Sequence, residues 1–170
     1  LAGLLAAVAC LMHSTYLLPA GLLVVGMLLE LWRAGRVRAA IITAIAALVS
    51  VTPVIVYNLV TFAPTDPGRF AEAQAIISWV RIPHHTLVSR WFDPIAALQV
   101  LGAVAGWLLF RRTMLFLPLG VAAGLALVLS LLEFATDNAT LALLFPWRIS
   151  AVFVPLATAA VSAWLAQFVA

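Results

Sequence analysis

The sequence predicts an all-α fold: a polytopic bundle of transmembrane helices with a short amphipathic surface helix in one external loop. Three observations predict it. Long apolar runs fill most of the chain, short arginine clusters separate some of them, and one polar island interrupts the series at residues 63–93. The composition agrees, at 66% apolar and 9% charged with a mean hydropathy of +1.19. Soluble domains are about half apolar and about a quarter charged. A soluble fold of 170 residues has too much surface to hide that excess, so lipid is the natural solvent.

Residues 1–12 are almost wholly apolar, but twelve helical residues reach only about 18 Å, and a crossing takes about twenty residues. They read as a partial span, the tail of a helix that begins upstream, and the chain reads as a fragment of a longer protein. His13-Ser14-Thr15 interrupts the run. Residues 16–32 form a second span with Pro19 near its start, where a helix amide needs no partner. Arg33, Arg36 and Arg38 make a basic turn broken by Gly35. Residues 39–62 form the clearest span, with Pro53 inside it as an expected kink.

Within the island, Asp66-Pro67 signals a helix start, with an acidic cap and proline at the first helical position. Phe70, Ala73, Ile77 and Val80 recur at spacings of three and four, which predicts a surface helix over 68–81 with Phe70, Ile77 and Val80 toward lipid or the bundle. Pro83 should stop it. Residues 94–110 and 113–132 are the next spans, joined at Arg111-Arg112. Glu133–Thr140 reads as a second polar surface loop, and 149–169 as the last span.

Arginine clusters between spans mark cytoplasmic turns. Alternation then places His13–Thr15, the island and residues 133–148 together on the non-cytoplasmic face, with every histidine and five of the six acids. The net charge of +3 does not point to nucleic acid, because five of the nine arginines lie in those turns and lysine is absent. The expected setting is an integral membrane protein of the bacterial inner membrane, with membrane lipid and the remainder of its own longer chain as partners.

Chemistry is expected on the polar face. Arg81, Arg148, Arg69 and Arg90 are candidates for binding a substrate or lipid phosphate, since a guanidinium fork matches phosphate bidentately. The competing reading pairs Arg69 with Glu72 or Asp66, and Arg90 with Asp93. His13 and Tyr16 are further binding candidates. His84 and His85 are candidates for base or orienting roles. Adjacent histidines point in different directions on a regular element, so a shared metal is not expected. A divalent metal would need Asp66, Asp93 or His13 as well, and no established zinc spacing occurs. No cofactor or metal site is therefore predicted. Asp66 and Asp93 are candidate bases, with a helix cap as the other use of Asp66. Glu133 reads as an interface marker. Asn138-Ala139-Thr140 fits the glycosylation pattern, and Gly102-x-x-x-Gly106 and Gly120-x-x-x-Gly124 fit the close-packing pattern of membrane helices. Cys10 reads as a buried, inert thiol.

Four segments carry a resemblance: His13-Ser14-Thr15-Tyr16-Leu17-Leu18-Pro19, Asp66-Pro67-x-x-Phe70, Arg81-x-Pro83-His84-His85 and Phe145-Pro146-Trp147-Arg148. They look like those of an uncharacterised bacterial polytopic inner-membrane family that is similar to the GT-C superfamily of glycosyltransferases. The resemblance implies active-site loops on the non-cytoplasmic side and polyprenyl-phosphate-linked sugars as substrates. The superfamily's acidic motif follows its first span, a region that would precede Leu1. Two other functions fit the same residues: a transporter or transport-associated subunit with the arginines as an anion gate, and a non-catalytic assembly subunit that uses the loop for docking.

Overall fold

The computed structural model describes residues 8, 10, 13–64 and 66–168. The partial span expected over 1–12 and the end of the last span at 169 lie largely outside them. Every regular element among the described residues is helical. A single tight turn, Ser14–Tyr16, leads into α1 (Leu17–Arg33). Gly35, at φ +69°, takes the left-handed conformation that reverses the chain into α2 (Val37–Thr61). The island contains α3 (Pro67–Ala75), a run of wider turns at Ile76–Arg81, and two single-turn helices, α4 (Pro83–Thr86) and α5 (Val88–Trp91). Then come α6 (Pro94–Leu109), α7 (Phe116–Thr136), the short α8 (Ala139–Leu143) and α9 (Ser150–Ala166). Five helical stretches are long and apolar enough to cross a membrane: Ser14–Arg33, Val37–Thr61, Pro94–Arg112, Phe116–Thr136 and Ala139–Ala166.

Two boundaries differ from expectation. Glu133–Thr140 is not a surface loop, because α7 continues to Thr136 and α8 begins at Ala139. Asp137, left-handed at φ 49°, ends α7, and Asn138 caps α8 by accepting from the amides of Thr140 and Leu141. The amide side chain of the glycosylation pattern is thus engaged in the fold. The last apolar stretch also starts earlier than residue 149, with α8 and the turn Pro146–Ile149 leading into α9.

The core is built around α7. On one side Ala122 and Ala126 meet Leu22 of α1 and Ile149. On the other, Leu119 joins Ala103 of α6 and Phe153 and Ala157 of α9. Small residues allow this closeness, which matters because helices in lipid gain no hydrophobic drive from meeting each other. A β-carbon on Gly26 would lie 2.6 Å from the Pro118 backbone, and one on Gly106 would lie 2.4 Å from Ala157. Pro118 sits in the first turn of α7, where its missing amide costs no helical bond. Of the two expected glycine pairs only one member of each makes close contact. Gly106 meets α9 and Gly120 meets Trp107, whereas Gly102 and Gly124 face open space. Trp107 stacks on Phe116 at 4.5 Å and donates to its carbonyl oxygen at 2.8 Å, pinning α6 to α7 at the arginine-turn end. By contrast, α2 leans mainly on α1 and leaves most of its apolar surface exposed.

Two outcomes follow. Gly106→Leu should lower stability by about 1–3 kcal/mol through overpacking, while Gly102→Leu should leave thermal unfolding in detergent unchanged. In a Cys10-free background, cysteines at Arg36 and Arg111 should react from one side of the membrane and a cysteine at Glu72 from the other. Labelling of all three from the same side would overturn the topology.

Candidate functional site at the polar end of the bundle

Three sequence segments that are far apart meet at the end of the bundle opposite the arginine turns. The island docks there through a series of specific contacts. Asp66 caps α3, its Oδ1 accepting from the amides of Gly68 at 2.7 Å and Arg69 at 3.4 Å. Asp93 caps α6 in the same way, accepting from the Ala96 amide at 2.7 Å. Both candidate bases therefore serve as helix caps.

After Ala75 the helix widens, and the Ile82 amide reaches back to the Ile77 carbonyl, five residues earlier. Such wide turns recur at functional sites. Here they free the Ser78 carbonyl, which accepts from the Thr86 hydroxyl at 2.7 Å, while the Ser78 hydroxyl donates to the Gln74 carbonyl at 2.8 Å. Ser78 and Thr86 are 0% and 1% exposed. The side of the surface helix that packs inward is accordingly the one bearing Ser78, with Gln74 and Ala75 half-buried. Phe70, Ile77 and Val80 lie on the exposed side of the surface helix.

Three longer links tie the island down. The Thr140 hydroxyl donates to Gln74 Oε1 at 3.0 Å. The Val88 amide donates to Glu133 Oε2 at 3.3 Å, and the Trp147 indole donates to the His85 carbonyl at 3.0 Å. Glu133, expected only to mark the interface, is 3% exposed and anchors the loop. Trp91 lies 5.5 Å from Trp147, ring centre to ring centre, and its buried indole nitrogen has no hydrogen-bond partner among the described residues.

The histidine pair differs from expectation. Both rings lie on α4 with centres 4.2 Å apart, tilted by 48°. Successive helical positions are separated by about 100°, and side-chain torsions close that angle here. Both side chains are exposed. Among the described residues no three of His, Cys, Asp or Glu gather as a metal-binding group.

Arg148 forms the second centre. It follows Phe145, which is buried with a left-handed backbone at φ 50°, a conformation unusual for a bulky residue. The Arg148 guanidinium lies 4.7 Å from the Phe145 ring centre and 6.0 Å from that of Tyr16. Its Nη1 donates to Thr15 Oγ1. Thr15 Oγ1 lies 2.9 Å from His13 Nδ1, which also faces the Thr15 amide at 3.4 Å. Arginine only donates, so the Thr15 oxygen accepts from Arg148, while His13 Nδ1 accepts from the Thr15 amide. Tyr16 packs edge-on against His13 at 6.2 Å.

The four arginines are held differently. Arg148 is half-buried by its neighbours, whereas Arg69, Arg81 and Arg90 are exposed. The competing pairing of Arg69 with Glu72 or Asp66, and of Arg90 with Asp93, does not form. The one ion pair among the described residues joins Arg33 to Glu30 at 3.7 Å, at the opposite end. Arg148 is thus a positioned cation with no carboxylate paired to it. Sequence reasoning singled out Arg148, His13 and Tyr16 but missed Thr15, Ser78, Thr86 and Glu133. The available signal was a polar residue inside or at the end of an apolar run, which lipid makes expensive unless it has a partner.

Compared with known proteins, the chain matches no family model, no curated protein sequence and no solved structure.

The Ser78–Thr86 clasp is testable. Thr86→Val removes the donor and leaves the buried Ser78 carbonyl without it, at a cost of about 1–3 kcal/mol. Tryptic cleavage after Arg81 and Arg90 should accelerate in Thr86→Val and stay near native in Thr86→Ser. Equal cleavage of all three proteins would show that the clasp does not hold the loop.

Proposed function

We propose that this chain belongs to a glycosyltransferase-like enzyme of the bacterial inner membrane. It would act at the non-cytoplasmic face on polyprenyl-phosphate-linked sugars and supply the seat for the lipid phosphate. The observation that carries this reading is Arg148, half-buried, placed by Thr15 and two aromatic rings, and paired with no carboxylate. A guanidinium offers five N–H donors in a rigid fork. Thr15 engages one nitrogen, so donors remain for a phosphate.

The chemistry follows from charge. A glycosyl-phosphate leaving group gains negative charge as its bond to the sugar breaks. A cation fixed in place beforehand, and partly shielded from water, stabilises that change without reorganising. Thr15 and His13 serve as positioning residues for it. Arg81, His84 and His85 lie on the exposed surface of the docked island and would meet the sugar or the acceptor. Asp66 and Asp93 are engaged as caps, which leaves the acceptor's base unassigned.

Binding of a polyprenyl phosphate to the intact protein in nanodiscs tests the reading. Arg148→Ala should weaken it about tenfold or more, a loss of about 1.4 kcal/mol or greater. Arg148→Lys should fall between, since it keeps the charge and loses the fork. Native-strength binding by a well-folded Arg148→Ala protein would sink this function in favour of a transport or assembly role.

A further inference from the structure

His84 and His85 stand on a single helical turn that is tied down on all sides. Pro83 opens the turn with its fixed backbone angle. The His85 amide donates to the Ile82 carbonyl at 2.8 Å, and the Leu87 amide closes the turn on the Pro83 carbonyl at 2.9 Å. The Thr86 hydroxyl donates to the carbonyls of Ser78 at 2.7 Å and Ile82 at 3.0 Å. From the bundle, the Trp147 indole holds the His85 carbonyl at 3.0 Å. The backbone beneath the two rings is therefore set by contacts that do not involve the rings themselves.

A regular helix turns successive side chains about 100° apart, which keeps neighbouring histidines from one shared ion. Here the ring centres lie 4.2 Å apart and the rings tilt by 48°. Two imidazole nitrogens bound to one ion at about 2.0–2.1 Å hold their ring centres roughly 5 Å apart. The pair stands within about 1 Å of that spacing. Both side chains are exposed, so small torsional changes can cover the difference and an ion can arrive from water.

The surroundings choose the kind of ion. Residues 76–86 contain no aspartate or glutamate, so the nearby sequence offers no carboxylate to a hard, oxygen-seeking ion such as magnesium or calcium. Imidazole nitrogen suits zinc, nickel and copper, and affinity along that series peaks at copper(II).

We infer that His84 and His85 together form a two-nitrogen site for a divalent late transition ion, with copper(II) held most tightly. Water or an oxyanion fills the remaining coordination positions, which face outward from the island. Such a site stands whether or not Arg148 receives a phosphate.

The test uses the intact protein in detergent, free of any histidine tag and in a Cys10→Ser background, titrated with copper(II) alone. One equivalent should bind, and electron paramagnetic resonance should show coupling to two imidazole nitrogens. His84→Asn and His85→Asn should each leave one coupled nitrogen and weaken binding about tenfold or more, since the second bond is no longer intramolecular. The double variant should lose the site, while His13→Asn, which removes the third histidine, should keep it. Zinc(II) should displace the copper when in excess, and magnesium(II) should not. Thermal unfolding confirms that each protein folds, and the exposed positions of both rings make that the expected result. Two equivalents with one nitrogen each would show that the histidines bind separately and would overturn the shared site. Undiminished binding by the double variant, or displacement by magnesium(II) as readily as by zinc(II), would overturn it as well.

Discussion

The backbone contact between α1 and α7 is the constraint on which the rest depends. Gly26 lies directly on Pro118, so the two helices touch without side chains between them. In lipid such closeness is a main source of helix association. It also fixes the depth of one helix against the other. With that register set, Leu22 lies against Ala122 and Ala126, and the start of α1 comes to rest beside the turn that carries Arg148. A slip of one residue would displace α1 by about 1.5 Å along its axis, enough to take Thr15 out of hydrogen-bonding reach of Arg148. A contact near the arginine turns thus sets the geometry at the opposite end.

The island is held by polar contacts where a soluble protein would use an apolar core. Ser78 and Thr86 are buried, and such hydroxyls are tolerated because each finds a carbonyl. The wide turns at Ile76–Arg81 make this possible, since they release carbonyls from the ordinary helical pattern. Glu133 and Trp147 then reach across from the bundle to backbone groups of the loop. Apolar residues such as Phe70 and Val80 are left on the outside.

The spans were legible because hydropathy and arginine placement are local signals. Asp66-Pro67 as a helix start was equally local, since a cap and its proline are neighbours in sequence. What stayed hidden depends on partners. A small-residue spacing marks glycines but not which of them meets a neighbour, so Gly102 and Gly124 looked like Gly106 and Gly120, and Gly26 carried no pattern at all. Glu133 looked terminal because α7 runs on for three residues after it, and its burial comes from a loop 45 residues away. The periodicity of the surface helix grouped Phe70, Ile77 and Val80, but the side that packs inward carries Gln74, Ala75 and Ser78.

Phe145 carries two demands that pull apart. Its backbone sits where glycine is at ease, and a bulky residue held there costs about 1–3 kcal/mol. Its ring, however, is part of the seat beneath the Arg148 guanidinium. Selection for thermal robustness alone would favour a smaller residue at this position and would empty the cation's seat in doing so. The polar end is therefore a place where stability and the seating of Arg148 compete, and stabilised variants of this protein are best judged by whether they keep that seat.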